Sequence, residues 1–556
     1  MRMRCSTTSR ATTMRCASVL SWKACPSARE GKNHGKGKRQ KGFYSGPIRF
    51  DPGEPLKKPG RIPAEIIEFF AAPGGHSLIV KGPAGTGKTT FALQLTEELG
   101  EIGASHYLSS RVSDESLFNQ FSWLRGRLQP AGLETGVRPV GGAHRVERKA
   151  LDQLLGKVEA GEEGGEEEGE RPIGGADVKH GFLEVPIGFD LPEVEKAYDF
   201  VEAHLPERSV ILIDSIDALS EHYGIAAGKL INVFQRDLVE GSRQNVLYVL
   251  EAGGETRLDY LGDGVVSLLS AQHEGRRVRL LSIEKLRGQQ VRQHQYVYTL
   301  DGGRLTAFGV YERPKPGKPK PWTSRPDPSR EAVSTGIPSL DALVGGMARA
   351  RVMAFRISNS VPAEYVDWLR AAMICNFVAQ GRGVAHVPPR KGTADFLREL
   401  LAPHLSAEAI ETHVRVFETA SLGGVEESRN VLPLEGTNVE ADLKWSNVEY
   451  RLPHSDRPFL ALMAFDTLES VYGEKVLEEM SGVLASVRRA RDVFVGFATP
   501  QNASTVKLAN LASVMLHVEC IQGSVVLYGE KPYTGLMNLT FDWSTGIPEA
   551  QLLPIV

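Results

Sequence analysis

The run Ser77-Leu-Ile-Val-Lys-Gly-Pro-Ala-Gly-Thr-Gly-Lys-Thr-Thr-Phe-Ala-Leu-Gln-Leu95 constrains this chain more than any other stretch. An apolar strand passes through a glycine-rich turn into an amphipathic helix starting near Lys88. Gly82, Gly87, Lys88 and Thr89 fit the G-x-x-x-x-G-K-[ST] phosphate-loop spacing, in the strand-to-helix context that gives the pattern its meaning. The chemistry needs each residue type for its own reason. Gly82, Gly85 and Gly87 free the backbone to turn its N–H groups onto phosphate oxygens, along the loop Gly82, Pro83, Ala84, Gly85, Thr86, Gly87, Lys88, Thr89, Thr90. The following helix points its positive end at the same anion. Lys88 supplies a cation for the β and γ phosphates, and the Thr89 hydroxyl is placed to ligate Mg2+. ATP with Mg2+ is the expected ligand pair.

A second apolar run, Ser209-Val-Ile-Leu-Ile-Asp214, reads as a buried parallel strand with an acid at its carboxyl end. Ligands bind at that end of α/β sheets, so Asp214 is expected to hold Mg2+ opposite Thr89. Strands are also expected at Ala104 to Leu108 and Asn245 to Leu250, a helix at Leu191 to His204, and a hairpin at Arg276 to Lys285. Alternating strands and helices followed by late hairpins predict an α/β fold with a mostly parallel sheet and an antiparallel edge.

Charge is distributed unevenly. Residues 1–50 carry twelve Lys or Arg against one acid, so removing them takes the net charge from −3 to −14. A basic tail over 1–60, too poor in aliphatics to bury much surface, is expected to be disordered. It reads equally as a transit segment, a nucleic-acid arm or the product of a misplaced start codon, Met14 being a later one. The stretch 125–181 reads as an inserted, partly acidic loop. Glu312 to Arg330 holds six prolines among basic residues and reads as an extended linker over 312–331. The five cysteines form no C-x-x-C pair, which argues against a zinc site or disulfide framework and suits a reducing cytoplasm. No run of 18 apolar residues is present, so no membrane partner is expected.

The chain also echoes itself. Arg61-Ile-Pro63 matches Gly336-Ile-Pro338, Asp214-Ser-Ile-Asp217 matches Asp466-Thr-Leu-Glu469, and Glu284-Lys285 matches Glu530-Lys531. Two copies of one domain follow, over 61–311 and 332–556. The second lacks a phosphate loop: Ala354-Phe-Arg-Ile-Ser-Asn-Ser-Val-Pro-Ala-Glu364 contains neither glycine nor a Lys-Thr pair. That half is expected to be structural or partner-binding.

Taken in order, these motifs, with Asp263-Gly-Val265, Lys285-Leu-Arg-Gly288 and Ser334-Thr-Gly-Ile-Pro-Ser-Leu-Asp-Ala-Leu-Val-Gly-Gly346, resemble the KaiC-type branch of the RecA-like ATPases. Tyr107-Leu-Ser-Ser-Arg-Val112 and the Ile-Pro helix start look closer to the gas-vesicle regulatory family GvpD. The resemblance implies two tandem RecA-like (P-loop NTPase) domains in a hexameric homo-oligomer, with nucleotide held between neighbouring copies. It further implies that Lys285 and Arg287 reach the γ-phosphate of the adjacent copy, where a cation stabilises the transferring phosphoryl group. One departure stands out. KaiC-type proteins carry paired glutamates after the second strand, where this chain has Ser109-Ser110-Arg111. Glu115 and Glu251 are the substitutes at hand for activating water, and slow hydrolysis, or nucleotide acting as a ligand alone, is expected. The function implied is a regulatory ATPase whose nucleotide state sets its assembly and its affinity for a protein partner. A DNA-acting, RecA/RadA-like recombination ATPase is the alternative, and the acidic folded part weighs against it.

Overall fold

The phosphate-loop strand β2 (Ser77–Lys81) lies inside a nine-stranded sheet. Its companions are β1 (Tyr44–Ile48), β3 (Ser105–Ser109), β4 (Val210–Asp214), β5 (Asn245–Val249), β6 (Gly264–His273), β7 (Arg276–Leu286), β8 (Gln295–Thr299) and β9 (Thr306–Phe308). The order is β1-β3-β4-β5-β2-β6-β7-β8-β9. The run from β3 to β6 is parallel, and both flanks are antiparallel. The computed structural model describes residues 44–48, 61–100, 103–109, 119–121, 123, 191–251, 254, 256–310, 318–419, 430–444 and 458–556. All belong to one compact unit, 43–556.

Strands β2, β3 and β5 are buried at every position because helices cover both faces. Leu78 and Val80 of β2 pack with the helices Ala64–Ala71 and Lys88–Glu98, while Ile79 packs with the helices Pro192–His204, Ile216–Tyr223 and Ala227–Phe234. That alternation is the strand period of two expressed as two separate cores.

Beyond a two-stranded ribbon, β10 (Ala332–Val333) and β11 (Met347–Ala348), comes a ten-stranded sheet. It contains β12 (Val352–Ile357), β13 (Val384–Val387), β14 (Val414–Thr419), β15 (Val431–Leu434), β16 (Leu460–Ala464), β17 (Val493–Ala498), β18 (Val514–Ile521), β19 (Ser524–Lys531), β20 (Met537–Asp542) and β21 (Glu549–Pro554). The order is β15-β14-β13-β16-β17-β12-β18-β19-β20-β21. Setting β2 on β12 sets every strand from β3 to β9 on a counterpart in the same place and direction. A register shift falls between Val265 and Val266 in one sheet and between Met515 and Leu516 in the other, at matching positions.

Several expectations change. Residues 44–48, inside the stretch read as a disordered tail, form the edge strand β1 against β3. Arg276 to Lys285 is not a hairpin but one long strand, and its partner β6 precedes it; a single β7 keeps pairing where a turn inside it would leave buried backbone groups unmet. The match of Asp214 to Asp466 is two residues out of register. Asp214 lies opposite Val249, and the corresponding residue opposite Phe497 is Ala464. Asp466 falls in the next helix, Phe465–Tyr472, and accepts from the Arg390 N–H at 3.0 Å. The described part of the proline-rich segment is docked rather than free: Lys320 and Trp322 donate backbone N–H groups to Gly546 and His404, and Asp327 pairs Arg382 at 2.6 Å. Residues 311–317 and the predicted insertion 125–181 lie outside the described residues.

Candidate functional site

Glycine carries the loop from β2 into the helix Lys88–Glu98. Gly82, Gly85 and Gly87 have φ of 154°, 77° and 88°, values that L side chains rarely adopt. A Cβ on Gly82 would come within 2.2 Å of the Leu268 carbonyl oxygen, so the loop can lie this close to β6 only without a side chain. Pro83, Ala84 and Gly85 are exposed at the tip, and Thr90 is half-buried in the first helical turn. The Thr86 hydroxyl closes the turn on the Pro83 carbonyl at 2.8 Å.

Lys88 is buried and curls back, its Nζ donating to the Gly82 and Pro83 carbonyls at 2.8 and 3.1 Å. The lysine charge is thereby held over the concave side of the loop. One residue on, the Thr89 hydroxyl donates to Asp214 Oδ2 at 2.7 Å, and the Tyr107 hydroxyl reaches the same oxygen at 3.2 Å. Burial raises the pKa of Asp214; the two hydroxyls and the Lys88 charge oppose that shift, and Glu251 adds to it. A hydroxyl and a shielded carboxylate fit a hard cation, which would restore the charged carboxylate. Among the described residues no cluster of three His, Cys, Asp or Glu could cage a metal. A Mg2+ bound chiefly through phosphates needs no such cage.

The site lies at the carboxyl ends of β2, β4 and β5. Glu251 follows β5 on that edge, its N–H donating to Asp217 Oδ2 at 2.6 Å, and its charge is felt by Asp214. Lys285 and Arg287 do not join this group. They lie at the other end of the sheet, where Lys285 pairs Val265 next to the first residue of β6. Lys285 Nζ donates to the Gly262 carbonyl at 2.6 Å, and burial, then the neighbouring Arg287 charge, lowers its pKa. Arg287 is exposed and pairs Asp263 at 3.2 Å. Glu115 lies outside the described residues.

Sequence reasoning missed three contributors. Tyr107 caps Asp214 from the neighbouring strand, the Tyr298 hydroxyl donates to the Thr86 carbonyl at 2.6 Å, and Arg279 donates to the Gly85 carbonyl at 3.0 Å. All three are buried residues on strands, where nothing in residue type or spacing marks a side chain that serves a distant loop. Lys81, at the end of β2, was passed over too. It is buried with Asp259 at 2.7 Å and Glu284 at 2.9 Å. Burial would lower its pKa, but the two acids outweigh that and raise it.

Two family models match the chain, the GvpD gas vesicle protein P-loop domain over 66–284 and GvpD basic region 2 over 323–429. Among curated proteins, Protein GvpD2 of Halobacterium salinarum is 27% identical over 516 residues, spanning 89% of this chain and 96% of that relative. Protein GvpD1 of the same organism is 22% identical over 559 residues, spanning 89% and 97%. The loop of residues 82–89 thus lies within the stretch that matches the GvpD P-loop domain, and the likeness to GvpD covers both halves.

Proposed function

We propose, with the GvpD-like character of the chain as premise, that it is a regulatory P-loop ATPase whose ATP state sets its self-assembly and its hold on a protein partner in the cytoplasm. The process is gas-vesicle formation, as the names of the relatives suggest. The observation that carries the reading is the Thr89–Asp214 hydrogen bond beneath a three-glycine loop that already holds its lysine charge inward.

In this reading the loop N–H groups and Lys88 bind the β and γ phosphates, and Thr89 and Asp214 hold Mg2+, which neutralises phosphate charge. Glu251 is the acid best placed to orient water, being on the same edge. Arg287, far from its own loop, serves the nucleotide of a neighbouring copy. Lys285, spent on backbone carbonyls, fixes the turn that presents Arg287. The repeated strand order and the repeated register shift support two tandem RecA-like domains of the KaiC type. Ser358 to Pro362 replace the phosphate loop in the second, which is left to structure and partner contact.

Calorimetry with ATP and Mg2+ tests this, with mass photometry on the same samples. Lys88→Ala removes a charge-assisted contact worth about 1.5–3 kcal/mol, so affinity should fall roughly 10- to 100-fold and ATP-dependent assembly with it. Equal affinity in the variant would end the reading.

A further inference from the structure

Arg279 lies on β7, four residues or more from any motif, yet its side chain meets both the phosphate loop and the second half. The residue is buried at 6% exposure. Nη1 donates to the Gly85 carbonyl at 3.0 Å, and Nε donates to the main-chain oxygen of Val556, just past β21. The Tyr298 side chain also hydrogen-bonds with the guanidinium. A buried guanidinium shared between the loop, Tyr298 and Val556 is costly to place, so its position calls for a reason.

Its neighbours share the arrangement. Tyr298, on the adjacent strand β8, holds the Thr86 carbonyl, and Leu300 packs so closely on Gly87 that a Cβ there would lie 2.8 Å from it. Between them, Thr299 donates its hydroxyl to the Pro554 carbonyl at 2.6 Å and accepts from the Val556 N–H at 3.4 Å. Successive residues at the end of β8 and just past it, Tyr298, Thr299 and Leu300, therefore face the loop, the second half and the loop again. The back of the loop, the side away from its N–H groups, rests on a wall shared with β21.

We propose that Arg279 is a positioning residue for the phosphate loop, and that the contact it makes with both loop and β21 transmits nucleotide binding in the first half to the second. The inference rests on the ATP reading above and says where ATP is sensed. Phosphate drawn against the loop N–H groups polarises the same peptide units whose carbonyls Arg279 and Tyr298 hold, tightening those bonds. By linkage, a partner that grips β21 would shift ATP affinity by the same factor.

Hydrogen exchange of residues 537–554, with and without ATP, tests it on the full chain, alongside ATP affinity by calorimetry. In the native protein, ATP should slow exchange there about fivefold or more. Arg279→Gln should weaken ATP binding and abolish the effect in the second half at saturating ATP. Arg279→Lys, which keeps the charge without the fork, guards against misfolding and should transmit less while binding ATP. Thr299→Val, which does not touch the loop, should leave affinity within about twofold while reducing protection at 549–554. If ATP binds and 537–554 do not respond, or respond equally in Arg279→Gln and Arg279→Lys, this inference alone fails. If the native protein does not bind ATP, the functional reading fails with it.

Discussion

Asp214 shows how one residue carries opposing demands. Its carboxyl is shielded by β4 and the loop, so ionisation there disfavours the folded state, and its pKa is raised. The folded protein then binds the proton more tightly than the unfolded chain does. The resulting stability is present at low pH and declines as pH rises through the raised value. Asp214→Asn removes the cost while keeping an acceptor for Thr89. In calorimetric melts near neutral pH the variant should be more stable by about 1 kcal/mol without Mg2+. It should also lose the Mg2+-dependent part of its nucleotide affinity. A variant that is less stable, or that keeps its metal dependence, would place the cation elsewhere.

At the scale of the element, the strand-loop-helix unit depends on close approach. Gly82 runs so close beside β6 that a Cβ on it would lie 2.2 Å from the Leu268 carbonyl oxygen, backbone that cannot step aside as a side-chain tip would. Its φ of 154° adds strain for any L residue. Gly82→Ala should therefore cost about 2–4 kcal/mol in urea denaturation and weaken ATP binding through a displaced loop. Gly85 offers the internal contrast. Its φ is also positive, but a Cβ there meets nothing within 4 Å, so its substitution should cost less. The long strand β7 makes the same point for the sheet. Its outer half holds Arg276 and Arg279, both nearly buried, because that part of the strand faces the second half rather than water.

For the whole molecule, the issue is how two similar halves act as one body. Val278, Val297 and Phe308 of the first share a small core with Val526, Tyr528, Leu536 and Ile555 of the second. Arg276 pins this core. It donates to the Gly529 and Thr534 carbonyls at 2.7 Å each, and its guanidinium lies 4.4 Å from the Tyr528 ring centroid and 4.2 Å from that of Tyr533. Two buried charged hydrogen bonds and two cation–π contacts suggest a loss of about 3–5 kcal/mol for Arg276→Ala. Because the contacts join the halves, the expected signature is a denaturation curve that splits into two transitions, followed by circular dichroism and tryptophan fluorescence. A single shifted transition would mean that the halves do not unfold separately.

The amino-acid sequence by itself determined the local chemistry. Gly82, Gly87, Lys88 and Thr89 can be read because a phosphate cradle demands fixed residue types at fixed short spacing, and Asp214 is singled out only because its apolar strand ends in an acid downstream of that loop. The α/β class and the repeat were legible for the same reason: periodicity and short motifs are local. Tertiary structure alone decided what lies far apart in the chain. It placed Tyr107 on Asp214, put Arg279 between Gly85 and β21, set Lys285 and Arg287 at the end of the sheet away from their own loop, and moved the counterpart of Asp214 from Asp466 to Ala464. Such pairings arise from strand order and register, which are settled by packing whole sheets, and a single side chain leaves no trace of that choice in its neighbours.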